Sequence, residues 1–160
     1  MLLNNSNALT NVEKSTSLKD LRTTIANAKS NIAAGKDVEI SQKVHDAAVS
    51  RFWQVSASKH QAGAEVDQAL WEALYAYEYL KSIENERPTR ATYLRRKIKD
   101  TDILSAVSTS VLKGGKTAGL QALRDMGRLD ASFEAVVVKY SGAFDAAVVA
   151  AAKKTLTDYS

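Results

Sequence analysis

The chain has 160 residues, 45% of them hydrophobic, with no cysteine, a formal charge of +4 and a pI near 9.2. That length suits one domain, and the apolar fraction can build a core without metal or disulfide staples. The missing thiols exclude disulfides, thiol nucleophiles and thiolate metal sites, and no apolar run approaches the ~20 residues of a membrane span, so no membrane partner is expected.

The charge is unevenly spread. Residues 1–86 carry 9 Lys or Arg against 11 Asp or Glu, a net of −2, whereas residues 87–160 carry 13 against 7, a net of +6. The sign changes at Glu84–Lys99, which also holds the single proline, Pro88.

Met1-Leu2-Leu3-Asn4-Asn5-Ser6 turns polar too soon for a signal peptide, and a cytoplasmic protein is the expectation. Residues 1–16 are rich in Asn, Ser and Thr and read as a flexible leader. Ser17 is a good N-cap, with Asp20 in the place of the capping-box acid. Leu18, Leu21, Ile25, Ala28 and Ile32 then recur at helical spacing, and Gly35 closes this first helix. Ser41 opens a second helix whose inner face is Val44, Ala48, Phe52 and Val55, flanked by Val49 and Trp53. Its pattern weakens through residues 56–60, where a turn or kink is expected before Gly63.

The third helix, about Ala64 to Glu84, is apolar on two sides. Val66, Leu70, Ala73, Leu74, Tyr77 and Leu80 form one stripe; Trp71, Tyr75 and Tyr79, four residues apart, form another. A helix of that kind belongs at the centre of a bundle. The alternative makes Trp71, Tyr75 and Tyr79 an exposed protein-interface stripe, and unmatched aromatics there would be a reason to expect a homodimer.

Pro88 stops this helix because the residue before a proline avoids the helical region. Thr89 is the expected cap of a short basic helix over about 89–99, with Ala91, Leu94 and Ile98 inward and Thr92, Arg95, Arg96 and Lys99 outward. A fifth helix follows a break at Asp100-Thr101, capped by Thr101 and ending at Lys113. Gly114-Gly115 is a hinge. Leu120, Leu123 and Met126 define the next helix, stopped by Gly127. Asp130 is the expected cap of a helix carrying Phe133, Val136, Val137 and Tyr140. Val136-Val137-Val138 has strand propensity, but a lone strand would lack a partner, so helix is preferred. Phe144 to Leu156 forms the last helix.

Chemical motifs are few. Gly115-Lys116-Thr117 resembles the tail of a phosphate-binding loop, but Ser110 stands where that motif needs its first glycine and the preceding segment reads as helix. His45 and His60 have no acidic cluster at ligand spacing, so no metal or other cofactor is expected. The neighbours His45 and Asp46 are not expected to face each other on a helix. No nucleophile elbow appears, and a non-enzymatic protein with no catalytic residues is the expectation.

The basic run is the functional lead. Arg87, Arg90, Arg95, Arg96, Lys97 and Lys99 fall within thirteen residues that contain no acid. In one reading Arg87, Arg90 and Lys97 pair with Glu78, Glu84 and Glu86 and the rest is solvated surface. In a second, Arg90, Thr92, Arg95, Arg96 and Lys99 bind the phosphate backbone of nucleic acid. In a third they dock an acidic protein surface. Two short helices joined near Asp100 loosely resemble a helix-turn-helix, but the turn lacks glycine, and Asp100 and Asp102 would repel DNA. The sequence therefore predicts an all-α protein of seven to eight helices, one domain over 17–160 with the 64–84 helix at its centre. It is expected to be an accessory or regulatory protein contacting nucleic acid, or alternatively a protein-interaction module.

Overall fold

A computed structural model describes residues 5–114 and 118–159 of the chain. All regular structure among them is helical, in nine α-helices and two short 3-10 turns. They fall into two compact units, Met1–Lys59 and His60–Ser160, where the sequence reading expects one domain after a leader.

The first unit holds α1 (Asn5–Lys14), α2 (Leu18–Ala33) and α3 (Val38–Ser58). Part of the expected flexible leader is thus a helix. Val12, 5% exposed, is buried, Leu9 is half-buried, and α1 packs on α3, so a few apolar side chains dock a segment whose composition is polar. As predicted, the Ser17 hydroxyl caps α2 by accepting the Asp20 N–H at 3.2 Å. Gly35 lies at φ 69°, the left-handed turn that ends this helix. The α2–α3 pair forms a hairpin that buries Leu21, Ile25 and Ala28 from one helix and Ala48, Val49, Trp53 and Val55 from the other. Arg51 clamps the α1–α2 link, its Nε donating to the Ser15 carbonyl at 2.9 Å.

Two local expectations are corrected in α3. It begins at Val38 rather than at Ser41, which is buried within its first turn and donates its hydroxyl to the Lys36 carbonyl. The break expected before Gly63 is present: α3 ends at Ser58 and the chain turns over residues 59–64, while Ser56 and Ala57, where the pattern fades, are buried in a close-packed contact. His45 and Asp46, not expected to face each other, do meet, Nδ1 to Oδ1 at 2.9 Å.

The second unit is built on α4 (Glu65–Glu84), followed by α5 (Thr92–Asp100), α6 (Ile103–Lys113), α7 (Ala118–Asp125), α8 (Phe133–Lys139) and α9 (Ala146–Tyr159). The 3-10 turns are Leu129–Ala131 and Ser141–Ala143. Within this unit α4 packs against α6, α7 and α8, the central position its two-sided apolar pattern predicts. One core cluster joins Leu70 and Ala73 of α4 to Ile103, Val107 and Val111 of α6, Val136 and Val137 of α8, and Val148 and Ala152 of α9. The valine run is helical, as expected, because its helix has a core to fill.

Several caps differ from those predicted. Asp102, not Thr101, caps α6: its carboxylate accepts the Ser105 N–H and hydroxyl, each at 2.8 Å, which holds its pKa below the ordinary value. Ser132, not Asp130, caps α8 by accepting the Ala135 N–H. Leu120 and Leu123 are buried as expected, whereas Met126 lies past the end of α7 and is exposed. Gly127 stops α7 in a left-handed conformation, with the Arg128 N–H donating back to the Leu123 carbonyl at 2.8 Å. The Gly115-Lys116-Thr117 segment lies outside the described residues.

Leu70 and Leu74 have no exposed surface. Leu70→Ala and Leu74→Ala are each expected to cost about 2–5 kcal/mol in denaturant melts, the range for buried leucines. A loss below ~1 kcal/mol for both would place them outside the core.

Candidate nucleic-acid interface

The link from α4 to α5 turns sharply. Glu86 takes a left-handed conformation at φ 52°, and beyond Pro88 the Thr89 N–H donates to Ser82 Oγ on α4 at 2.8 Å. The Thr89 hydroxyl accepts from Asn85 and donates to the Arg87 carbonyl, so Thr89 secures the loop instead of capping α5. The N-cap position of α5 is Ala91, which has no side chain for the task. Glu78, reaching across from α4, accepts the N–H of Ala91 itself at 2.8 Å and so pins the start of α5 to α4.

Glu78 also determines where Arg95 points. Arg95 Nε donates to Glu78 Oε1 at 2.6 Å and Nη2 to Oε2 at 2.8 Å, a two-pronged pair in which Glu78 is 7% exposed. These bonds raise the guanidinium's pKa further above an already high value. Arg95 was expected on the outer face; instead it folds back onto α4. Its guanidinium carbon sits 5.3 Å from the Tyr75 ring centre and 5.9 Å from that of Trp71. His60 stacks on Trp71 with centroids 3.6 Å apart and rings 4° from parallel, and its Nε2 meets the Tyr75 hydroxyl at 2.7 Å. Burial, then the charge of Arg95, lower the His60 pKa against an opposing pull from Glu78.

The second aromatic stripe is therefore largely occupied from within the unit. Trp71 and Tyr75 are covered by His60 and Arg95, and Trp71 also packs against the core cluster. Tyr79 is half-buried, and burial raises its hydroxyl pKa. This covering removes the motive for a homodimer through Trp71 and Tyr75.

The other cations of the run stand apart from this cluster. Arg87, Arg90, Arg96 and Lys99 are exposed and Lys97 half-buried, and among the described residues none of the five forms an ion pair. The pairings expected for Arg87, Arg90 and Lys97 are not made: Glu78 takes Arg95, and Glu84 takes Lys81 at 2.9 Å. Thr92 is exposed on the same side of α5, its hydroxyl turned toward the Arg90 carbonyl. Of the five nucleic-acid candidates, Arg90, Thr92, Arg96 and Lys99 thus share an open face, and Arg95 does not.

Two neighbours of this face escaped the sequence reading. Tyr93 is 69% exposed, and Lys113, at the end of α6, places its Nζ 5.6 Å from the Tyr93 ring centre. The signal for Tyr93 was its place within the basic run, one step off the inward Leu94; Lys113 is brought there only by the packing of α5 on α6. Beside Tyr93 opens a cavity of about 320 Å³, walled by Tyr77, Leu94, Leu120 and Phe133, with Thr92, Ser110, Ser132 and Glu134 as polar groups. Gly119 shapes its wall: a Cβ there would come within 2.6 Å of the Tyr77 ring. Burial raises the Glu134 carboxyl pKa. Among the described residues no three His, Asp or Glu side chains gather as metal ligands would, and no helix is long and apolar enough to cross a membrane.

Two outcomes test this arrangement. Glu78→Ala strands a shielded guanidinium and the Ala91 N–H, and is expected to cost about 3 kcal/mol in denaturant melts; a loss under ~1 kcal/mol would mean that the pair carries no weight in the fold. The lowered His60 pKa means that the unfolded chain binds the proton more readily. Stability is therefore expected to fall as pH drops through about 6.5, the unfolded histidine value, and His60→Asn should flatten that dependence in melts between about pH 5.5 and 7.5. No protein-family model, curated protein or solved structure matches this chain.

Proposed function

We propose that the protein is a non-enzymatic accessory or regulatory factor that contacts nucleic acid through the open basic face of α5. The observation that carries this reading is the set of cations left without acidic partners. Arg90, Arg96 and Lys99 project from one short helix and its lead-in, while the single acid of α4 that reaches α5 is consumed by Arg95. Clustered cations repel one another, and an anionic partner relieves that repulsion. Arginine is suited to phosphate because its planar fork donates two hydrogen bonds at once. Asp102 is held at the N-terminus of α6, where both of its oxygens accept from Ser105 and the positive end of the helix dipole partly offsets its charge.

The geometry favours backbone contact over base readout in a groove. In a helix-turn-helix the second helix would enter the major groove. Here α6 is a core helix, with Ile103, Ala106, Val107 and Val111 buried.

The test is the salt dependence of affinity. Each phosphate contact contributes a slope of about 0.9 in log affinity against log salt for a duplex and about 0.7 for a single strand. Arg90→Ala/Arg96→Ala/Lys99→Ala is expected to flatten the slope by about two to three units while helical circular dichroism is retained. The exposed control Lys19→Ala/Lys29→Ala/Lys36→Ala in the first unit should leave it nearly unchanged. Absence of binding to any DNA or RNA at low salt, or equal losses in both triples, would overturn the proposal. An acidic protein surface would then be the partner to seek, with the α5 triple as the negative control.

A further inference from the structure

The basic face has an aromatic ring at its edge. Among the described residues Tyr93 is the most exposed of the large hydrophobic side chains, at 69%, with cations on its side of α5 and at the end of α6. Arg96 and Lys97 lie three and four residues further along α5 and so share its side of the helix. Lys113 approaches the ring from α6 at 5.6 Å. The acid of this helix, Asp100, is about 10 Å away along the axis, seven residues on at 1.5 Å each. Tyr93 also borders the 320 Å³ cavity, whose walls are mostly aromatic and aliphatic, with Thr92, Ser110, Ser132 and Glu134 as polar groups.

We infer that this face takes single-stranded nucleic acid, with one base stacked on Tyr93 and the adjoining phosphates held by Arg90, Arg96, Lys97 and Lys113. The inference rests on the nucleic-acid reading above and narrows its ligand class. In a duplex each base already stacks on its neighbours and no ring face is free for Tyr93. A single strand presents free faces, and an aromatic platform beside a cationic track is the physical means of holding it without regard to sequence. The cavity at the foot of Tyr93 is of a size that receives a flat ring. Tyr93 is itself part of the cavity lining, so a base leaving the stack has apolar walls beside it to enter. The burial of Ile103, Ala106, Val107 and Val111 keeps α6 in the core, so the helix after the α5–α6 corner is not free to lie in a duplex groove.

The experiment compares a fluorescein-labelled 15-nucleotide single-stranded DNA of mixed sequence with its 15-base-pair duplex, by anisotropy at low salt. The proteins are the full chain, Tyr93→Ala, Tyr93→Phe and the Arg90→Ala/Arg96→Ala/Lys99→Ala triple. The single strand is expected to bind tighter than the duplex. Tyr93→Ala should weaken single-strand binding by about five- to a hundredfold, the usual effect of removing one stacking platform, and leave duplex binding nearly unchanged. Tyr93→Phe keeps the ring and should retain wild-type affinity. Because Tyr93 is exposed, circular dichroism should match wild type in both variants. If the duplex binds as tightly as the single strand, or Tyr93→Ala binds the single strand like wild type, the platform is refuted; loss of binding by the triple would still leave the basic-face reading standing. If the full chain binds neither probe, both fall.

Discussion

The pair between Glu78 and Arg95 is the interaction on which the second unit's basic segment depends. A carboxylate that is 7% exposed must be paired, and Glu78 is satisfied by the Arg95 fork and the Ala91 N–H together. One side chain of α4 thus starts α5 and sets its rotation. With Arg95 turned toward α4, Leu94 and Ile98 are drawn inward beside it and Arg96 and Lys99 are turned out. Tyr75 and Trp71 lie against the guanidinium, with His60 stacked on Trp71 behind them, and they screen the pair from water, which strengthens its attraction and raises the penalty for breaking it.

This division of labour gives a compact run of like charges two roles. Arg95 belongs to the fold. Its neighbours are held close together by an anchored helix that does not need them, and nothing on α4 neutralises them. Surface cations are ordinarily interspersed with acids, because a field of one sign opposes compaction. A short helix carrying several unpaired cations tolerates that repulsion through the stabilisation that Glu78 and the inward apolar face supply.

The helices around α5 decide what the charges can be used for. Asp102 caps α6 and is spent there, and α6 is sunk in the core, so the α5–α6 corner is a structural joint. Lys113 at the far end of α6 returns positive charge to the vicinity of Tyr93. Gly119 lets α7 approach the Tyr77 ring, and the space between α7, α5 and α8 becomes the cavity beside the platform. Tyr77, Tyr93 and Gly119 stand sixteen or more residues apart in sequence and meet through the burial of apolar faces around α4.

How much of this was legible beforehand follows from the range of the forces involved. Helical class, the central place of α4 in its unit, the Ser17 cap and the Gly35 and Gly127 stops are local: they depend on spacing within a few turns or on the conformation of one residue, and the chain carries them on its face. The α-helical state of Val136-Val137-Val138 was legible because no partner strand exists among the neighbouring patterns. What the sequence could not contain was the choice among equivalent charges. Six cations stood within reach of three acids, and periodicity put Arg95 on the outer rim of its helix; only the approach of α4 brought Glu78 within 2.6 Å of it and left the others open. The helix over Asn5–Lys14, the division at Lys59, and the meeting of Tyr93 with Lys113 have the same origin. Each depends on contacts between residues far apart in the chain, and such contacts exist only after the apolar faces have chosen their partners.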